Sequence, residues 1–372
     1  MMPDCLIVGG GAVGLALAYE LSGRGVTVEV IDRGDMGREA SWAGAGILPP
    51  ANRATAVHPL DQLRALSHEL HPKWAAELRE RTGIDTGYRQ CGGLYLARSA
   101  GEVASLVAFA EMLRELDIAI DRVPNDVLSN IEPGLKELAA SGTLRAVYEL
   151  PGEAQLRNPD HLRALVVACE QNGVSLRCQT ELLEIELAGD QVAAVRTSHG
   201  RLQADRYCLA SGAWTYALLK QLDIATGIMP IRGQMVMFKC DEPPFRRVLN
   251  EGPRYLVSRD DGRVLVGSTE EEVGFNKSNT PETVSELAGL AHQLVPALEG
   301  AQIERTWAGL RPGSFDGFPY LGAIPGVDNA FAAAGHFRSG LHMSPGTAVV
   351  MTQLMLGESP EIDFTPFRVG RG

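Results

Sequence analysis

The sequence lacks the patterns that mark metal, dithiol or membrane chemistry. None of its six cysteines (Cys5, Cys91, Cys169, Cys178, Cys208 and Cys240) forms a C-x-x-C pair. Its eight histidines show no H-E-x-x-H or comparable ligand spacing, so no metal is expected. Cys5, Cys178 and Cys208 lie in apolar or strand-like runs, which predicts small buried thiols in a reducing compartment. No stretch reaches the roughly 20 apolar residues that a membrane helix needs. Residues 6–21 are apolar enough to suggest a secretory leader, but Asp4 precedes them, no basic segment does, and glycines interrupt them. A soluble cytoplasmic protein with no membrane span is therefore expected. There is no internal repeat and no low-complexity segment. Cationic residues are in deficit, 34 Lys and Arg against 46 Asp and Glu, giving a net charge of −12. That balance argues against nucleic acid as a partner and requires any anionic substrate to be held by a local cationic site.

What the sequence has is an ordinary globular composition, 45% hydrophobic and 22% charged over 372 residues, enough for two domains with full cores. The rest is organised around its start. Cys5 to Val8 reads as a buried strand, followed by Gly9-Gly10-Gly11-Ala12-Val13-Gly14, a helical run over 15–21, and a strand over 26–31 that ends on Asp32. This is the order of a dinucleotide-binding βαβ unit. Gly9 permits the tight turn, Gly11 lets backbone approach a pyrophosphate at the helix N-terminus, and Gly14 lets helix and sheet pack closely. Asp32, 21 residues past Gly11, stands where a carboxylate takes the ribose hydroxyls. The turn alone does not separate FAD from NAD(P).

Further along, Ser41-Trp42-Ala43-Gly44-Ala45-Gly46-Ile47-Leu48 has little side chain to pack and reads either as a flexible loop or as backbone lying against a flat ligand. A second run ending on small residues, Ala210-Ser211-Gly212-Ala213-Trp214, offers another such place. Amphipathic helices are expected over 60–82, 102–116, 160–172 and 280–294, with a loop around Pro124 and Pro133. Residues 228–275 are strand-rich. Asp260-Asp261-Gly262 turns a hairpin whose register sets Tyr255 opposite Gly267 or Ser268. The alternation of segments predicts two discontinuous domains: residues 1–84, 155–222 and 306–372 for the nucleotide, and 85–154 and 223–305 for the substrate.

The most informative later stretch is residues 307–322, WAGLRPGSFDGFPYLG, followed by AAGHFRSGL over 333–341. Arg311 lies among apolar residues and glycine, where burial is costly without an anion. It suits bidentate capture of a carboxylate, or else a structural ion pair with Asp316 or a helix C-terminus.

Together, the Gly9–Gly14 motif with its acid, the small-residue loop over 41–48 and these two stretches resemble the FAD-dependent amine and amino-acid oxidases of the D-amino-acid oxidase group. Within the group they most resemble the glycine oxidases of thiazole (thiamine) biosynthesis. The resemblance spans essentially the whole chain. It implies an α/β fold, with a Rossmann-like FAD-binding domain of glutathione-reductase type beside a discontinuous α+β substrate domain containing a mixed or antiparallel sheet.

It also implies non-covalent FAD contacted by Gly9, Gly11, Ala12, Val13, Gly14, Asp32, Arg33, Ala40, Ser41, Ala45, Gly46, Ile47 and Leu182. His336, Phe337, Ser339, Gly340, Leu341 and His342 would run beneath the flavin. Arg311 and Tyr255 would hold a substrate carboxylate, with Arg338 also lining the substrate site. No side chain is expected to act as a chemical catalyst, because the flavin takes the hydride from Cα at its N5. The expected products are an imine or 2-oxo acid, ammonia and, with dioxygen as acceptor, hydrogen peroxide. A homo-oligomer is also implied.

Two alternatives stay open on the residues. One is a dehydrogenase of D-amino acids, hydroxyproline or sarcosine that passes electrons to a quinone; the other is a non-catalytic flavin sensor. One departure concerns the substrate: Glu270 stands where the resemblance leads one to expect methionine. It reads either as a solvent-facing side chain or as a carboxylate beside a carboxylate site, where it would disfavour acidic substrates.

Overall fold

The computed structural model describes residues 2–371 and is built on two large sheets. The first has six strands, in the order Tyr320–Ala323, Ala330–Ala334, Arg206–Leu209, Cys5–Val8, Val28–Ile31 and Ser175–Arg177. All neighbours are parallel except the first pair. Cys5–Val8 is buried along its whole length, as a parallel strand covered on both faces must be. The helix Ala12–Gly23 follows it and is buried through Leu15, Ala16, Leu17, Tyr19 and Leu21, in one core with the helix Gly340–Met355. Each such leucine contributes about 2 kcal/mol by leaving water.

The second sheet has eight strands in the order Gln302–Gly313, Met229–Lys239, Arg263–Gly267, Arg254–Ser258, Val248–Glu251, Gly93–Ala97, Ala146–Leu150 and Asp121–Arg122. Only the pair Val248–Glu251 and Gly93–Ala97 is parallel. The period of two along these strands divides their side chains by face. Val236, Phe238, Leu256, Val264 and Val266 join the core made with the helix Pro281–Leu294. Their neighbours Met235, Tyr255, Val257 and Leu265 cluster instead with Ala45, on the face turned toward the small-residue loop. The hairpin register pairs Tyr255 with Gly267, and Gly262 takes the positive φ the turn requires. A small sheet joins Ile47–Leu48 and Arg89–Gln90 through Ala154–Gln155.

The structure places Arg311 and corrects two expectations. Arg311 sits inside the long strand Gln302–Gly313, paired with Ile231. The strand runs through Pro312 because it is the sheet's edge, where a missing N–H is tolerated. The region around Pro124 and Pro133 is not a plain loop, because it carries the short helices Asn125–Ile131 and Lys136–Ala140. Cys178 is exposed, just past the outermost strand of the six-stranded sheet, and Cys91 and Cys240 are only half-buried. No helix among the described residues is long and apolar enough to cross a membrane.

Candidate active site

A cavity of about 700 Å³ lies between the two sheets, with walls drawn from both. Residues of the glycine turn form part of it. Gly9, at φ +116°, lies so close to Ala210 that an added Cβ would be 2.5 Å from that residue's carbonyl oxygen. Gly14 does not reach the cavity. A Cβ there would run into the Gly9 carbonyl oxygen, so its part is to let the helix seat behind the turn. Gly11, Ala12 and Val13 line the wall where the helix begins, and the Ser41 hydroxyl accepts the Ala12 N–H at 2.9 Å. The next N–H groups have no partner within the helix and suit an anion. The Asp32 carboxylate accepts from the backbone N–H groups of Gly10 and Gly34, both at 2.8 Å, which fixes it in the wall with acceptor capacity remaining.

Arg33, Ala40, Ser41, Ala45, Gly46, Ile47 and Leu182 also line the cavity, as do His336, Phe337, Ser339, Gly340, Leu341 and His342. Two further features of this region carry no sequence signal. Asn158 donates to the Ser41 carbonyl at 2.7 Å, while its buried Oδ1 lacks a partner among the described residues. Arg259, 7% exposed, donates to the backbone carbonyls of Ala45 at 2.7 Å and Leu156 at 2.9 Å and to Gln155 Oε1 at 2.6 Å. Burial pulls its guanidinium down to about 10. It pins the small-residue loop from behind. Trp214 joins the wall too, with the Arg33 guanidinium 3.8 Å from its ring centre.

The other end of the cavity is polar by side chain. Arg311 donates to the Thr269 carbonyl at 3.0 Å and to Ser268 Oγ at 2.5 Å, and it pairs with no carboxylate among the described residues. The ion pair with Asp316 does not form, because Arg371 takes that carboxylate at 2.8 Å. Burial lowers the Arg311 pKa, the sign of a cation held without full compensation. Its guanidinium lies across Gly233, where any Cβ would occupy the same space. Tyr255 is 9% exposed; its hydroxyl lies 3.3 Å from Ser268 Oγ, and a Cβ at Gly267 would crowd it at 2.9 Å. Arg338 donates to the Pro253 carbonyl at 3.1 Å and pairs with Glu270.

Asn250, opposite Tyr255 in the sheet, donates to Glu153 at 3.0 Å, and Tyr95 donates to the same carboxyl at 2.6 Å. Burial raises Glu153 to about 7. Behind Leu341 the rings of His71, His161 and His342 gather with centroids about 6 Å apart. Burial lowers all three, His71 to about 4 and His161 to about 3.

The wall suits FAD on three counts. Backbone approaches it at residues 9–11 and 44–46, a helix N-terminus faces it, and Asn158 Oδ1 and His342 Nε2 are buried polar atoms that a polar ligand would satisfy. The family comparison agrees. Residues 4–354 match the family described as FAD dependent oxidoreductase. A glycine oxidase of Pseudomonas aeruginosa is 36% identical over 368 residues, 99% of this chain and 98% of that protein. The bifunctional protein ThiO/ThiG of a Synechocystis species is 35% identical over 98% of this chain and 54% of its own length. The crystal structure of glycine oxidase from Geobacillus kaustophilus superposes with a TM-score of 0.93 at 31% identity, covering 100% of this chain and 99% of that one.

Proposed function

The chain belongs to the FAD-dependent oxidoreductase family, and we propose that within it the protein oxidises glycine or another small amino acid or secondary amine. Bound FAD supplies the acceptor for the hydride leaving the substrate's Cα and the means of passing two electrons to dioxygen. The chain's own residues bind and orient.

The observation that carries this reading is Arg311, a half-buried guanidinium that among the described residues bonds to two neutral oxygens and to no carboxylate, and opens on the same cavity as the cofactor-type wall. A substrate carboxylate supplies the missing charge, bidentately, and the Tyr255 hydroxyl donates to it from three strands along the same sheet. With the carboxylate fixed at two points, Cα and its amino group are held against the flavin-lining turn over 336–342. Fixing the reacting bond in this way is the main part that protein plays in such a transfer. His336 takes no proton in this scheme: burial holds it near 4, and its ring lies 3.1 Å from the Thr347 hydroxyl. The imine so formed hydrolyses to the 2-oxo acid and ammonia, or passes on as the glycine imine that thiazole assembly consumes. The domain division by residues 1–84, 155–222 and 306–372 against 85–154 and 223–305 stays part of this proposal.

Anaerobic bleaching of the flavin by glycine, sarcosine, D-alanine and D-proline tests the reaction. Arg311→Ala tests the anchor. Losing a charged hydrogen-bond pair worth roughly 1.5–3 kcal/mol raises KM by about 10- to 150-fold with the flavin still bound. No bleaching by any of these amines would leave a flavin-binding sensor as the better reading; an unchanged KM would remove Arg311 as the anchor. Release of peroxide, compared with reduction of a dye in air, separates oxidase from dehydrogenase.

A further inference from the structure

Two arginines, Arg311 and Arg338, stand at the substrate end of the cavity, and a single loop meets both. Thr269 and Ser268 give Arg311 a carbonyl and a hydroxyl, which leave its charge intact. One residue further on, Glu270 gives Arg338 a carboxylate, and the Pro253 carbonyl accepts from a second nitrogen of the same guanidinium at 3.1 Å. Arg338 lines the cavity, whereas Glu270 is not part of the lining and meets Arg338 from outside it. The two side chains are 35% and 39% exposed, so both stand at the mouth and not in the interior. The site therefore holds two guanidiniums but presents only one uncompensated positive charge.

We propose that Glu270 determines specificity by occupying Arg338, which restricts the site to amino acids carrying a single carboxylate. This inference rests on the reading of Arg311 as the carboxylate anchor. A second carboxylate on the substrate meets a neutralised Arg338 and the negative charge of Glu270, and like charge at close range is the usual means of rejecting a wrong partner. Ser268, Thr269 and Glu270 are consecutive, and their contacts with Arg311 and Arg338 place the two cations within reach of one small ligand. Freed of Glu270, Arg338 would offer a second carboxylate a charged donor comparable to Arg311.

The test uses the FAD-loaded enzyme and reads binding through the change in the flavin spectrum on titration with acetate, malonate and succinate. Iminodiacetate serves as the oxidisable counterpart. The wild-type protein is expected to bind acetate at least tenfold more tightly than either dicarboxylate. In Glu270→Gln the dicarboxylate-to-acetate affinity ratio should rise at least tenfold, and the kcat/KM for iminodiacetate relative to glycine should rise with it. Adding Arg338→Gln to that variant should return the ratio to the wild-type value, which a merely structural role for Glu270 would not do.

Wild-type protein that binds succinate as tightly as acetate overturns the proposal. So does a ratio that moves less than twofold in Glu270→Gln. Failure of acetate to perturb the flavin at all would instead overturn the anchor reading on which the proposal stands.

Discussion

Around Gly9, Gly11 and residues 44–46 the cavity is walled by backbone and small side chains, whereas around Tyr255 and Arg311 it is walled by long polar side chains rising from one face of a sheet. The first region is shaped for recognition by closeness. It offers N–H groups and Cα atoms, and at Gly9 and Gly46 an added atom would meet the backbone of Ala210 and Leu156. The second region recognises by a few charged groups, and its glycines, Gly233 and Gly267, clear space for Arg311 and Tyr255. The first should therefore fail when atoms are added and the second when atoms are removed. The two kinds of failure should look different on the bench.

The largest effect is expected from adding one methyl group directly behind the first region's glycine turn. Gly14→Ala places a Cβ against the Gly9 carbonyl oxygen, and neither backbone segment can yield, because Gly9 is itself pressed on Ala210. A loss of at least about 3 kcal/mol is expected, read as a lower Tm and less flavin absorbance per protein. A Gly14→Ala protein with wild-type Tm and full flavin would show that the turn is not closely packed. The contrast is with Arg311→Ala, which should keep its flavin and its Tm and lose only substrate affinity.

A second way to separate the regions is acid. His71, His161 and His342 lie beneath the cofactor side of the cavity, and burial holds all three neutral. Their folded pKa values fall below the unfolded value of about 6.5, so below that pH the unfolded chain binds more protons than the folded one. They therefore carry no linkage penalty above about pH 6.5 and destabilise the folded chain increasingly as the pH falls toward 4. His161 is the informative member because neither ring nitrogen has a partner among the described residues. His161→Leu therefore sacrifices no hydrogen bond, and at pH 5 it should be more stable than wild type by about 2 kcal/mol. Melting curves at pH 5 and 7.5 check this; a variant less stable at both would mean that His161 holds a bond which only the bound flavin or water completes.

The same contrast explains how much of the molecule can be read from its sequence. The glycine turn, Asp32 and the loop over 41–48 are local patterns in which spacing and residue size are the signal. The hairpin was legible for the same reason, since Asp261-Gly262 and two β-branched arms lie within fifteen residues of one another. Arg311 was legible as a costly cation, but its strand was not, because only the sheet's edge makes Pro312 acceptable there. The helix Gly340–Met355 contains Pro345 and Gly346, which argue against a helix; Gly346 is needed because the helix Pro59–Thr82 comes so close that a Cβ would strike Ser67. Arg259 and Asn158 had no signal at all. Arg259 acts on Ala45 from 214 residues away and Asn158 on Ser41 from 117, and nothing local marks either role.

The smallest of these effects, and the sharpest test of the second region, is Tyr255→Phe. The Tyr255 hydroxyl hydrogen-bonds to Ser268 Oγ at 3.3 Å and Met235 Sδ at 3.4 Å, and Ser268 keeps Arg311 as a donor when Tyr255 is changed. The ring still fills its place beside Met235 and Leu265, so neither folding nor flavin retention should alter. What is lost is one hydrogen bond to the substrate carboxylate, about 1 kcal/mol, so KM should rise roughly fivefold with little change in kcat. A fall in kcat at unchanged KM would instead place the hydroxyl near the reacting amine. The side-chain end of the cavity would then act in the transition state as well as in binding.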